Sequence, residues 1–221
     1  MVGVAGTKRW LCHEEPCQAW PMELAEVLRR RRMVRNYEPR PVPIDVRDRI
    51  LAAGLRAPSA GFSQGWGFLV LETEDDRIRF WEHADDEPVS PDDPRGLGLR
   101  RAPLVVVPFA HKQTYLDRYQ EPDKEQFGLV EERWPVPYWF VDAGMAALLM
   151  LLAAVDAGLG ACFFELAPDD QQVRQAFGVP QGYQAVGALT IGYPAPDVPS
   201  PSLQRGRRAL NEVLHFGRWT A

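Results

Sequence analysis

Apolar positions recur along this chain in two spacings. Leu24, Val27 and Leu28 fall three and four apart between charged residues, which predicts a helix opening at Met22 and running to Arg30. Ile50, Leu51 and Leu55 repeat that spacing behind Asp45, a residue suited to cap a second helix that ends near Ala57-Pro58. Residues 66–71, 104–109, 160–164 and 185–193 are instead short continuous apolar runs, the pattern of buried strands. Further helices are expected over 75–84, over 138–157 with Gly158 as the C-terminal stop, and from Ala167-Pro168-Asp169 to Gly178. Between them lie an extended proline-rich link at 37–43, a loop at 59–65, an exposed acidic loop at 85–98, and a long polar and aromatic insert at 111–137. Strands alternate with helices and no repeat is visible, so the class is mixed α/β or α+β. Residues 1–21 lack any period and read as a loosely ordered extension. Residues 22–221 are expected to form one domain.

Composition narrows the partners. The 221 residues carry a formal net charge of −5, which argues against a free nucleic-acid binder. Three cysteines, Cys12, Cys17 and Cys162, do not make a disulfide framework and suggest a reducing, cytoplasmic setting. The uncharged stretch 143–155, bracketed by Asp142 and Asp156, is short for a membrane span and reads as a core or interface helix. Cys12, His13 and Cys17 lack a fourth ligand of matching spacing, and His83, His111 and His215 are scattered, so no metal is expected. Phosphate-binding P-loop, dinucleotide fingerprint and nucleophile-elbow motifs are absent.

The densest chemical signal is Arg29-Arg30-Arg31-Arg32-Met33-Val34-Arg35. Arginines at a helix C-terminus complement its dipole, so a solvated basic end is one reading. A phosphate site is the other, because guanidinium groups match phosphate oxygens in a fork and stay charged. A second cluster, Arg205-Gly206-Arg207-Arg208, is placed to close on the same anion.

Five segments in order give these residues a context. Arg31-Arg32-Met33-Val34-Arg35-Asn36-Tyr37 is followed by Ala57-Pro58-Ser59-Ala60-Gly61-Phe62-Ser63-Gln64-Gly65-Trp66. Then come Asp142-Ala143-Gly144-Met145-Ala146, Gly158-Leu159-Gly160 and Ile191-Gly192-Tyr193-Pro194. Across residues 22–219 this order and spacing resembles the nitroreductase family of FMN-dependent flavoproteins. The resemblance implies a central, mostly antiparallel sheet of four to five strands flanked by helices, a long helix at a homodimer interface, and a C-terminal extension. It implies FMN as cofactor and NAD(P)H as co-substrate. Arg31, Arg32 and Met33 would meet the FMN phosphate and ribityl chain. Arg35 would lie near the pyrimidine edge, where a cation stabilises reduced flavin. Pro58, Ser59, Ala60 and Phe62 would line the ring, from the partner chain. Phe164, Glu165 and Leu166 would pass near N5 with their backbone amides. Arg205, Arg207 and Arg208 would complete the phosphate site. No catalytic side chain is expected, because hydride transfer through a flavin needs position and electrostatics rather than an acid or base. Arg32→Ala is expected to weaken FMN binding more than Arg29→Ala.

The chain departs from the family pattern at Met33, where serine is common, at Phe62, where asparagine is common, and at Gly65, where proline is common. Phe62 cannot hydrogen-bond the flavin but can pack on a flat ring. Tyr115, Tyr119, Phe127, Trp134, Tyr138 and Trp139 in and after the insert either pack among themselves or form a lid that stacks planar substrates. The function expected is transfer of hydride from NAD(P)H through flavin to a planar electron-poor acceptor, a nitro compound or quinone. The alternatives are an FMN enzyme with another reaction, such as reductive dehalogenation, a flavin or deazaflavin storage protein, and a plain interaction domain.

Overall fold

The computed structural model describes residues 22–85, 89–124, 131, 134–166 and 170–219. Among these, seven α-helices and five strands follow in the order α1 (Leu24–Arg30), α2 (Ile44–Gly54), β1 (Trp66–Leu71), α3 (Glu74–Ala84), α4 (Pro94–Arg100), β2 (Leu104–His111), α5 (Lys112–Arg118), α6 (Tyr138–Asp156), β3 (Gly160–Phe164), α7 (Gln171–Ala176), β4 (Tyr183–Ala185) and β5 (Ala188–Gly192). The strands make one open sheet in the order β1-β2-β5-β3, with β4 also on β2, and every ladder is antiparallel.

The continuous apolar runs have a simple cause: the central strands are covered on both faces. Along β2, Leu104 and Val106 enter a core shared with α2 and α6, while Val105, Val107 and Phe109 enter a second core with Phe80 of α3 and Val173 of α7. Side chains that alternate across a strand serve two layers at once. Each fully buried valine or leucine here contributes about 1.5–3 kcal/mol of transfer free energy. β1 is an edge strand and is only half-buried apart from Leu71, so the expectation of a buried strand at 66–71 held for its bounds but not its burial.

Local chemistry sets the helix ends. Thr73 Oγ1 accepts the Asp76 amide at the start of α3, and Glu74, Asp75 and Asp76 sit where the helix dipole favours carboxylates. α6 stops at Gly158, whose φ of 76° is open to glycine without strain. By length and hydropathy α6 would pass for a membrane span; here Ala143, Ala147, Met150, Leu151 and Ala154 are buried against the sheet and α2.

Four expectations are corrected. Asp45 lies inside the first turn of α2 rather than capping it, since Pro43 already fixes the entry. That helix ends at Gly54, which leaves Leu55 exposed instead of on the buried face. The region 85–98 is not all loop, because Asp93 caps α4 and Pro94 opens it, and Gly98 is buried. The run 185–193 is two strands, broken at Gly187 (φ 139°), where a Cβ would come within 2.5 Å of the Phe163 ring. The extension 1–21 with Cys12, His13 and Cys17, the residue Phe127, and the helix start at 167–169 lie outside the described residues.

Candidate functional site

The arginine segment leaves α1 as extended chain and is stitched to the far end of the sheet. Met33 forms a parallel bridge with Ala161, and the Val34 amide donates to Ala161 O at 3.0 Å. The Phe163 amide donates to Met33 Sδ at 3.5 Å, so the sulfur takes a contact that a serine would make differently. Tyr37 is buried and donates its hydroxyl to Val34 O at 2.6 Å, with Thr190 Oγ1 3.0 Å away. Burial pushes this phenol far above its ordinary value, so it stays a neutral donor. The tail runs alongside: Arg35 N donates to Asp197 Oδ2 at 2.8 Å, and Ala195 N to Asn36 O at 3.0 Å.

Extended backbone puts neighbouring side chains on opposite faces, so Arg31, Met33 and Arg35 share one face and Arg32 and Val34 the other. The cavities agree. Arg30, Arg32 and Val34 line a space of about 160 Å³ with Gly158 and Gly160. Arg35 lines a separate cavity of about 300 Å³ with Trp81, Arg95, Leu99, Arg100 and Phe164. This second cavity joins two stretches that the sequence separates widely, the arginine segment and the end of β3. Arg29 is tied to Glu26 in the solvent, as is Arg30.

Eight residues lining that cavity were not among the predicted site residues, Asp85, Val89, Asp93 and Gly96 included. Trp81 stacks on Phe164 (centroids 5.6 Å apart, planes 12° apart) and Arg100 sits 4.8 Å over the Trp81 ring while pairing with Asp85. Arg95 donates to Pro199 O at 3.1 Å. Among the described residues, Trp81 Nε1 and Arg95 Nε are buried without an acceptor. Leu99 belongs to the same wall. α4 was the missing piece: its Gly98 rests directly on the Arg35 carbonyl, where a Cβ would be 2.1 Å away. The signal available was Asp93-Pro94, a capping residue before a proline suited to the first helical turn.

Phe164 and Leu166 turn their side chains into the second core, and Glu165 is exposed. The chain leaves the sheet after the pair Phe164↔Ala188, so the amides of Glu165 and Leu166 lie beyond the last ladder pair. Pro58–Phe62 forms a turn at another edge. Pro58 is exposed, Ser59 and Ala60 are half-buried, and Phe62 is 75% exposed with φ 56°. Tyr119, Trp134, Tyr138 and Trp139 do come together: Trp134 is 4.9 Å from Tyr119 and 5.8 Å from Tyr138 between centroids. Tyr119 covers Gly61 of the turn. Tyr115 is corrected from a substrate-facing ring to a buried one, its hydroxyl donating to Asp142 Oδ2 at 2.9 Å. Arg205, Arg207 and Arg208 are exposed, and no bond among the described residues joins them to Arg31, Arg32 or Arg35; Arg208 is engaged with Glu212. The described residues contain no cluster of three His, Cys, Asp or Glu that could hold a metal.

Three comparisons place this arrangement. The sequence model of the Nitroreductase family matches residues 28–193. YdjA of Escherichia coli K12, provisionally named an NAD(P)H nitroreductase, is 32% identical over 186 residues, covering 78% of this chain and 89% of that protein. An iodotyrosine deiodinase from Nematostella vectensis is 22% identical over 210 residues, covering 91% and 77%. The solved structure of an FMN-dependent nitroreductase from Clostridium difficile R20291 superposes with a TM-score of 0.63 at 24% identity, covering 87% of this chain and 98% of that one.

Proposed function

This chain belongs to the nitroreductase family, and we propose from that and from its cavities that it is an FMN-dependent oxidoreductase that passes hydride from NAD(P)H to a planar, electron-poor acceptor. The observation that carries the proposal is the 300 Å³ cavity in which Arg35 and Phe164 meet. Its donors suit a flavin: Arg35 is a cation, Arg100 is one already paired with Asp85, and Trp81 Nε1 and Arg95 Nε have no acceptor among the described residues; Asp85 and Asp93 also line the space. Buried donors are expected to have acceptors, and the carbonyl-rich edge of a flavin offers several. Arg35 lines it and Arg32 lines the space behind the segment; Arg31 and Met33 would meet the phosphate and ribityl chain beyond it. The amides after Phe164 are the groups for the N5 side.

FMN, when bound, supplies a carrier that takes hydride from NAD(P)H and delivers two electrons to the acceptor. The residues of this chain bind, orient and exclude water. Arg35 would supply positive charge to the reduced flavin, while Arg100, paired with Asp85, would brace the Trp81 wall. Phe62 and the rings around Trp134 offer flat apolar surface for the acceptor.

A second copy of the chain completes this site. Beyond Pro199 the tail exposes Leu203, Leu210, Phe216 (88%) and Trp219 (81%), and α6 exposes Met145 and Leu148. Apolar patches of this kind mark interaction surfaces. We place Pro58, Ser59, Ala60 and Phe62, and the arginines Arg205, Arg207 and Arg208, against the partner's flavin. Gel filtration is expected to give a dimer; a monomer that retains FMN would refute the shared site.

Purified protein is expected to be yellow, or to become so on adding FMN, and to bleach when mixed with NADPH or NADH without oxygen. A colourless protein that takes up no FMN sinks the proposal. Persistent yellow colour leaves a storage protein. A second reading, reductive dehalogenation, is favoured by the likeness to iodotyrosine deiodinases. Under nitrogen with excess reductant, iodide release from an iodophenol, faster than reduction of a nitroaromatic, would select it.

Phe62→Asn tests the acceptor side. Asparagine tolerates the left-handed backbone that Phe62 adopts. In protein kept saturated with FMN the variant is expected to raise KM for a planar nitroaromatic by about two- to tenfold, the worth of one ring contact, and to leave bleaching by NADPH unchanged. Equal loss in both half-reactions would contradict the assignment.

A further inference from the structure

The turn that carries Phe62 has an unusual backbone. Gly61, Phe62 and Gln64 have φ of 62°, 56° and 53°. Only glycine enters this region freely, so the surroundings must impose it on the other two.

Those surroundings converge on Asp142. The Ala60 amide donates to Asp142 Oδ2 at 2.7 Å, and the Tyr115 hydroxyl donates to the same oxygen at 2.9 Å. Ser59 Oγ lies 3.4 Å from the Tyr115 oxygen and accepts the Gln64 amide at 2.8 Å. Because Tyr115 gives its proton to Asp142, Ser59 is the donor to Tyr115. On the far side of the turn, Arg118 Nε donates to Gly61 O at 2.9 Å, its fork held by Asp123. Burial raises the Tyr115 phenol well above its ordinary value, and the Asp142 charge adds to this, so it remains a donor.

Asp142 is 3% exposed on a helix that is otherwise apolar through its middle. A buried carboxylate is costly unless its charge is engaged, and leucine there would pack without that cost. Its two identified partners both lead to the turn, one directly and one through Ser59.

We propose that Asp142 is a positioning residue: it fixes the Ala60 amide and thereby the left-handed turn that presents Phe62 to the flavin site. The role rests on the FMN reading and on the shared site above, since the turn is placed against the partner's flavin. It predicts a graded series in the full-length protein. Asp142→Ala removes the acceptor and is expected to weaken FMN binding, read by quenching of FMN fluorescence, about tenfold, the worth of one hydrogen bond to a charged group. Asp142→Asn keeps an oxygen for Ala60 and should restore affinity to within about threefold of wild type. Tyr115→Phe leaves the Ala60 contact in place; it should lower the melting temperature with less effect on affinity than Asp142→Ala. Phe62→Ala should weaken FMN binding in the wild type but add little in the Asp142→Ala background, because residues acting through one element are not additive.

Asparagine and alanine variants with equal affinity, or additive losses for Asp142→Ala and Phe62→Ala, overturn the role while the flavin reading stands. If Asp142→Ala does not fold, the Asn and Tyr115→Phe variants decide: an asparagine loss as large as tenfold, or a larger loss for Tyr115→Phe, overturns it. A wild type that takes up no FMN overturns the flavin reading and this role together.

Discussion

Replacing Arg31 and Arg35 together by alanine is expected to weaken FMN binding by about 100-fold or more. Arg35 lines the 300 Å³ cavity, and on the proposed reading Arg31 would meet the FMN phosphate and Arg35 the ring. A charge-assisted hydrogen bond to a buried anion is worth about 1.5–3 kcal/mol, roughly ten- to a hundredfold per residue. Arg29→Ala serves as the control, since Arg29 already pairs with Glu26 in solvent. Arg32→Ala separates two registers. It lines the 160 Å³ pocket behind the segment with Val34 and Gly160, so its loss should fall between those of Arg29→Ala and Arg31→Ala. Equilibrium dialysis against FMN at several salt concentrations reads all four, and the Arg31 term should shrink most with salt because phosphate binding is the most ionic contact. A double variant with wild-type affinity would remove the anchor from the proposal.

Gly98→Ala is expected to damage fold and site at once. The added methyl would lie 2.1 Å from the Arg35 carbonyl oxygen and 3.1 Å from Asn36 Cα. Both are backbone, so no rotamer change relieves the overlap, and α4 must move away from the arginine segment. Overpacking of this kind costs about 1–3 kcal/mol. For a chain of this size each kcal/mol lowers the melting temperature by about 2–4 °C. FMN affinity should fall with it, because α4 carries Arg95, Leu99 and Arg100 into the cavity. An unchanged melting temperature would mean that α4 does not rest on Arg35, and an unchanged affinity that α4 is no part of the cofactor site.

These two variants also show where the chain could be read unaided. Arg31 and Arg35 stood out because arginine clusters are chemically loud and the segments after them are ordered like those of the family. β1 and β3 were bounded to the residue, since apolar runs with a glycine at the start and a glutamate after the end, Glu72 and Glu165, leave little choice of ends. α4 was lost because Pro94-Arg95-Gly96-Leu97-Gly98-Leu99-Arg100 has two glycines and a weak intrinsic preference for helix; Asp93 and tertiary contact with Arg35 decide it. Tyr115 was misassigned for a related reason. A tyrosine among aromatics looks the same in sequence whether it lines a pocket or serves a buried carboxylate, and the partner Asp142 is 27 residues away. Trp81 lay on a helix whose pattern gave no hint that its outer ring would meet Phe164 across the second core.

The stitching of residues 33–38 has a consequence for how the protein acquires its cofactor. Met33 is bonded to a residue 130 positions away and Tyr37 to one 153 positions away, and the Glu38 amide reaches Tyr193 O at 2.9 Å. Contacts this remote in sequence demand large loop closures, which slow folding and place them late. On the ribosome the arginines emerge well before the strand and tail they lie against. The proposed FMN anchor therefore takes shape only after Tyr193 and Asp197 have been made, and until then those cations face water. FMN held at this seam would stabilise it by mass action, so on that reading cofactor supply should govern how much of the folded chain survives rather than how fast it is made.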